Sequence, residues 1–144
     1  MSSLNSWRNG TITLVSGKTV WAALCDFSGR SKGVSLYCKL KMVTKEPLRE
    51  GTQIWCRMGF GEGVLFVEDL DPPNGFTMTG IVGGIQARVS FRIVDILDGG
   101  YVEICIELDN EAVLEESQLA FLREWMIDQI NAIRRQAELA PKVR

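Results

Sequence analysis

Residues 20–40, VWAALCDFSGRSKGVSLYCKL, are the stretch that decides the fold. An apolar run leads to Asp26, a stretch rich in serine, glycine, arginine and lysine follows, and a second apolar run begins at Val34. In the second run apolar and polar residues alternate, which is the two-residue period of a half-buried strand. The sequence therefore predicts a β-hairpin, and its polar loop, residues 26–33, offers a carboxylate, hydroxyls, cations and backbone N–H groups to a small ligand.

The composition is typical of a globular protein. The 144 residues suffice for one domain with its own core, and 46% of them are apolar while 24% are charged. A net charge of −2 gives no general attraction to nucleic acid. No apolar run approaches the roughly 20 residues that span a bilayer, and residues 1–10 lack the apolar stretch of a signal peptide. We therefore expect a cytoplasmic protein that neither inserts into a membrane nor binds nucleic acid.

The chain contains no histidine, which excludes histidine-based acid–base catalysis, triads that need histidine and histidine-containing metal sites. Its four cysteines are far apart and form no CxxC pair, so they are predicted to be buried, reduced thiols and not zinc ligands. These features indicate a non-catalytic binding or interaction protein without a metal or cofactor. The four cysteines are Cys25, Cys38, Cys56 and Cys105.

Strand-like segments separated by turn signals fill residues 11–108. The glycine cluster at residues 59–63 precedes an apolar strand and not a helix, so it departs from the dinucleotide-binding fingerprint and is predicted to connect two strands. The strongest turn signal is DLDPPNG, residues 69–75. The predicted fold class is mainly β: a single domain whose small antiparallel barrel has six or seven strands, preceded by a flexible arm over residues 1–10.

After the last strand the apolar period changes to three and four residues, which predicts one long C-terminal α-helix over residues 109–138 and a short tail over residues 139–144. Phe121 and Trp125 widen the apolar stripe of this helix. The extra width packs either within the chain or on a partner helix, as in a homodimer through the C-terminal helix. The stripe consists of Leu119, Leu122, Met126, Ile130, Ile133 and Ala137.

The order of strands, polar turn and terminal helix resembles the PilZ domain, a family of small barrels that sense the bacterial second messenger cyclic di-GMP. Asp26 and Ser28 match the first and third positions of the Asp/Asn-x-Ser-x-x-Gly motif of that family, although the glycine is displaced. The Arg-x-x-x-Arg motif of the family's N-terminal arm is absent, because Arg8 is the only arginine before the turn. The resemblance covers most of the chain in layout and one short motif in detail.

The resemblance implies a regulatory domain in bacterial cyclic di-GMP signalling. The nucleotide would lie across the N-terminal arm and the turn at residues 26–33, where arginine side chains suit phosphate and guanine. Ordering of the arm by the nucleotide would then alter a surface read by a protein partner. The residues expected to bind the ligand are Arg8, Asp26, Ser28, Gly29, Arg30, Lys32 and Gly33.

Two alternatives stay open. A degenerate PilZ-like protein that does not bind the nucleotide would act as a protein–protein adaptor through the barrel face and the broad helix. An enzyme without histidine would need a pair of carboxylates that face each other across a cleft. The candidates for such a pair are Asp69, Asp71, Asp95 and Asp98.

Overall fold

Seven segments form one antiparallel sheet within the residues that the computed structural model describes, namely 5–27, 39–43, 46–109 and 111–139. Two helices accompany the sheet in this part of the chain: α1 spans Gly17–Cys25 and α2 spans Glu116–Leu139. The strands are β1 (Asn5–Thr13), β2 (Lys39–Met42), β3 (Gln53–Met58), β4 (Gly61–Asp71), β5 (Gly75–Val82), β6 (Ile85–Ile96) and β7 (Gly99–Leu108).

The sheet is open. Its strand order is β1-β7-β6-β5-β4-β3-β2, so β1 and β2 form opposite edges. The predicted mainly β, antiparallel architecture with a long C-terminal helix is confirmed, whereas the closed barrel is not. The physical reason is that α2 packs against one face of the sheet, so a helix occupies the space that strand side chains alone would fill in a small barrel.

The core lies between α2 and the inner face of the sheet, which we define as the face that packs on α2. On the helix, Leu122, Trp125 and Ile133 have no exposed surface. On the sheet, alternate residues such as Ile104 and Ile106 of β7 are equally buried. The apolar stripe predicted for the helix is therefore packed within the chain over most of its length.

Helix α2 begins later than predicted, at Glu116 and not at residue 109. The Glu115 N–H donates a hydrogen bond to Gln118 Oε1 over 2.9 Å. A side chain at the third helical position that accepts from the preceding backbone N–H is a capping interaction and fixes the first turn. The acidic residues before it therefore belong to the connection from β7.

The first half of the predicted hairpin is helix α1, so the hairpin prediction is wrong there. Val20, Ala23 and Leu24 are buried, and their spacing of three and four residues is that of one helix face. Both alternating sets of this run are apolar, so the two-residue period could not distinguish a strand from a buried helix. Of the second half, only residues 39 and 40 lie in a described strand, β2.

Strand β1 begins at Asn5, so the prediction of a flexible arm over residues 1–10 is wrong for residues 5–10, while residues 1–4 lie outside the described residues. Residues 5–13 pair with β7 in one continuous register, from Asn5 opposite Leu108 to Thr13 opposite Gly100. Trp7 faces inward and packs against the core, while its neighbour Arg8 faces outward. The alternation Ser-Trp-Arg-Asn is the strand period, here hidden by the low apolar content of the segment.

The predicted connections between strands are confirmed at three places. The glycine cluster turns at residues 59 and 60 between β3 and β4, DLDPPNG turns at residues 72–74 between β4 and β5, and Asp98 lies in the β6–β7 turn with φ of +63°. Neither α1 nor α2 combines the length and hydropathy that a membrane-spanning helix needs.

The N-terminus of α1 depends on a distant carboxylate. The N-cap residue Ser16 makes no side-chain capping bond, and the Gly17 N–H instead donates to Asp95 Oδ1 of β6 over 2.7 Å. We expect Asp95→Ala to lower the free energy of unfolding by about 1 kcal/mol, because the helix loses its capping acceptor. Urea unfolding followed by circular dichroism measures the change.

Glu124→Ala is the matched control, because it removes an exposed carboxylate of α2 that accepts no hydrogen bond from the described residues. Equal stability of Asp95→Ala and the parent protein would contradict the capping role of Asp95.

Candidate functional site

The two described residues of the predicted nucleotide site lie on opposite faces of the sheet. Arg8 is on the outer face, where its side chain is 69% exposed and its Nη1 is 4.0 Å from Glu103 Oε1. Asp26 follows α1 on the inner side, where its Oδ2 accepts a hydrogen bond of 2.8 Å from Gln136 Nε2 of α2. The sheet therefore separates these residues. The other predicted ligand-binding residues, Ser28, Gly29, Arg30, Lys32 and Gly33, lie outside the described residues.

Of the acidic residues considered for a catalytic pair, two line one pocket of about 410 Å³ near the N-terminus of α1: Asp71 and Asp95. Each already has a structural contact, since Asp95 caps α1 and Asp71 accepts from Asn74 Nδ2 over 3.3 Å. Asp69 and Asp71 also line a second pocket, of about 350 Å³, together with Arg8, and Asp69 lies 3.9 Å from Arg88 there. Asp98 lies in a turn. The described residues include no group of three or more cysteine or acidic side chains placed to hold a metal ion.

The described cysteines lie apart from one another, on α1, β3 and β7. Cys56 is fully buried on β3, whereas Cys25 and Cys105 are half-buried. The prediction of full burial is therefore confirmed for one of the three, and Cys38 lies outside the described residues.

A separate pocket opens at the end of the molecule where the β3–β4 turn, the β5–β6 turn and the first turns of α2 meet. Glycines allow this approach: a Cβ added to Gly61 would lie 2.5 Å from the Cα of Gly83, so the two turns touch through their backbones. A Cβ added to Gly59 would collide with the Cβ of Phe121, which shows that the helix lies directly against the β3–β4 turn.

This pocket has a volume of about 390 Å³ and an apolar floor. Phe121 is 48% exposed at its wall. Arg57 and Glu62 form an ion pair of 3.1 Å at the rim, and the Arg57 guanidinium lies 5.2 Å from the centre of the Trp55 ring. The lining residues are Arg57, Met58, Gly59, Gly61, Glu62 and Phe121.

Two buried side chains with polar groups, Trp125 and Gln129, follow Phe121 along α2. Phe121, Trp125 and Gln129 are spaced four residues apart, so they follow one another on the same side of the helix, one turn at a time. Trp125 has no exposed surface and Gln129 is 1% exposed. The apolar residues Met58 and Leu122 are buried at the same end of the core.

The indole N–H of Trp125 finds no hydrogen-bond acceptor among the described residues. An indole N–H can only donate, and a buried donor without an acceptor costs about 1–3 kcal/mol. Most buried donors in folded proteins have a partner, so an unpartnered one needs a specific explanation, such as a bound molecule that supplies the acceptor. Together, the pocket at Phe121 and the indole N–H one turn further along α2 form the candidate site.

Sequence reasoning placed Trp125 on the flank of the helix stripe and did not consider Gln129. A signal for Gln129 was present, because it lies between Met126 and Ile130, within the apolar stripe and four residues after Trp125. A polar residue inside a stripe that is otherwise apolar marks a buried polar group.

The fold is shared with solved structures of low sequence similarity. Ara h 8.0201 superposes with a TM-score of 0.71 at 10% identity, over 94% of this chain and 98% of that one. The Zhui aromatase/cyclase from Streptomyces sp. R1128 gives 0.68 at 11%, over 94% of each chain. The Aha1 dimer from Colwellia psychrerythraea gives 0.66 at 14%, over 93% and 96%. No protein-family model and no curated protein matches the sequence.

These structures share the fold of this chain, an antiparallel sheet packed on one long C-terminal helix, and overturn the PilZ resemblance. The assignment to cyclic di-GMP signalling is therefore wrong, and the PilZ-like adaptor alternative has no support. The physical reason is local: the resemblance depended on two strands around the Asp26 turn, and the first of them is helix α1.

The contact between Gly59 and Phe121 gives a test of the pocket geometry. We expect Gly59→Ala to lower the free energy of unfolding by about 1–3 kcal/mol, because the added methyl group overlaps the α2 residue beside it. Thermal and urea unfolding report the loss.

Gly84→Asn is the control, since a Cβ at Gly84 meets nothing within 4 Å and asparagine tolerates its φ of +77°. A Gly59→Ala variant as stable as the control would show that α2 does not pack against the β3–β4 turn as described.

Proposed function

We propose that this chain binds a small, mainly apolar molecule that carries a hydrogen-bond acceptor, between the inner face of the sheet and α2. The molecule enters at the pocket beside Phe121 and accepts a hydrogen bond from Trp125 Nε1. The observation that carries the proposal is the buried indole N–H without an acceptor, one helical turn from an open apolar pocket.

The chemistry of the pocket supports this class of ligand. Its floor is apolar, so burial of an apolar ligand there contributes about 25 cal/mol per Å² of surface removed from water. A single hydrogen bond to Trp125 then adds about 0.5–1.5 kcal/mol and orients the ligand. Mostly apolar sites with a few polar groups are the usual design of small-molecule pockets.

We propose binding without catalysis. The buried polar side chains of the described residues are Thr13, Thr52, Thr77 and Gln129, none of which acts as an acid or base near neutral pH. Glu62, at the rim of the pocket, is held in an ion pair with Arg57. The aromatase/cyclase named among the similar structures shares 11% of its residues with this chain, which is a likeness of fold.

A matched pair of probes tests the proposal: 2-acetylnaphthalene has a carbonyl acceptor, and 2-ethylnaphthalene has nearly the same shape without it. We expect the parent protein to bind both and to prefer the ketone. Trp125→Phe keeps an aromatic ring but removes the N–H, so it should weaken ketone binding about twofold to tenfold and leave the hydrocarbon unchanged. Isothermal titration calorimetry measures both affinities.

Phe66→Leu is the control variant, because Phe66 is 46% exposed on the outer face of β4 and does not line the pocket, so both affinities should stay unchanged. Retained binding of 2-ethylnaphthalene also shows that Trp125→Phe is folded. The proposal fails if the parent protein binds neither probe, or if Trp125→Phe weakens both probes equally.

A further inference from the structure

Strand β1 forms one long edge of the sheet, and no second strand among the described residues pairs with it. Its nine residues pair with β7 on one side. On the other side, the described residues contain no backbone hydrogen bond to β1 from any other element. An edge strand of this kind presents a row of free N–H and C=O groups that can pair with another strand.

The two edges of the sheet differ in how they are protected. The described part of β2 carries the exposed Lys41, and a lysine on an edge strand discourages pairing. In contrast, β1 has no proline, no register shift against β7 and one charged residue, Arg8. β1 is therefore the edge that is suited to accept a strand.

We propose that β1 pairs with β1 of a second copy of this chain, antiparallel and around a two-fold axis at Asn9. The two sheets then continue into one another across the dimer. Centring on Asn9 is the register that pairs all nine residues, from Asn5 opposite Thr13 of the second copy to Thr13 opposite its Asn5. A centre at Arg8 is disfavoured, because it sets two arginines directly opposite each other.

Charge complementarity favours a second copy of this chain over an unrelated strand. In the register centred on Asn9, Arg8 lies opposite Gly10 of the second copy. Gly10 is the cross-strand neighbour of Glu103, and the Tyr101 ring covers it on the outer face. The Arg8 guanidinium thus meets a carboxylate and an aromatic ring of the other copy, and the two-fold axis repeats the contact.

Sedimentation velocity over a range of protein concentrations tests the association. We expect a dimer that dissociates on dilution, and we expect Arg8→Glu to weaken it by tenfold or more, because two glutamates then face each other across each contact. Arg88→Glu is the matched control: it reverses an exposed arginine on β6, away from the edge, and should leave the dimer intact.

Disulfide trapping tests the register. Opposing Cα atoms of antiparallel strands are about 4.5–5.5 Å apart, within the range of a disulfide, so Asn9→Cys should form a covalent dimer under mild oxidation. Thr11→Cys should not, because the two positions are offset by four residues, about 13 Å. Both variants retain the native cysteines, so any background from those thiols is the same in both.

The proposal is wrong if the parent protein is monomeric at all concentrations, if Arg8→Glu and Arg88→Glu weaken the dimer equally, or if Thr11→Cys cross-links as well as Asn9→Cys. A dimer that survives Arg8→Glu and does not form the Asn9→Cys disulfide would place the interface elsewhere, such as on α2. These outcomes are independent of ligand binding beside Trp125, since β1 pairing does not involve that site.

Discussion

The packing of one helix against one broad apolar face of a sheet is the constraint on which the rest of the structure depends. Strand alternation gives the sheet an inner face on which Leu65, Ile104 and Ile106 are wholly buried. An exposed face of that size would be unstable in water, and α2 is the longest element available to cover it. The helix carries the matching stripe, and its Trp125 is the largest completely buried side chain among the described residues.

The same packing explains why a polar atom in the interior indicates a function. An exposed indole N–H bonds to water, but the N–H of Trp125 is removed from water by the residues around it. The donor lies one helical turn from Phe121, which lines the pocket at the end of the molecule. A core built only for stability would place an apolar ring there, because an unpaired donor lowers stability without improving packing.

The sequence predicted the elements with one unambiguous period and failed where two periods fitted equally well. The alternating glutamates of β7 and the three-and-four spacing of α2 each admit one interpretation, and both elements are found. Residues 20–25 are apolar at nearly every position, so neither period is distinguishable and the choice of strand was wrong. The sequence pattern also could not show whether the sheet closes into a barrel, because closure depends on which element covers the inner face.

The candidate site was less predictable than the fold, for a related reason. A polar residue in a turn, such as Asp26, is readily predicted to bind a ligand. In the structure, Asp26 accepts a hydrogen bond from Gln136 and helps to hold α1 against α2. Trp125 looks like an ordinary core residue until the structure shows that its N–H has no acceptor. Whether a donor is satisfied depends on contacts between distant segments, which no local pattern encodes.

The packing of α2 that keeps the sheet from closing explains both the unpaired edge of β1 and the buried N–H of Trp125 that has no acceptor among the described residues. A closed barrel has no edge strands and fills its interior with strand side chains. Because α2 occupies that interior, β1 and β2 remain apart, and the helix meets the β3–β4 turn at a pocket instead of a sealed end. The free edge of β1 and the buried donor of Trp125 are thus two consequences of one packing arrangement. They lie at different places in the fold, the first at the margin of the sheet and the second beneath the helix, so each can acquire a partner without the other.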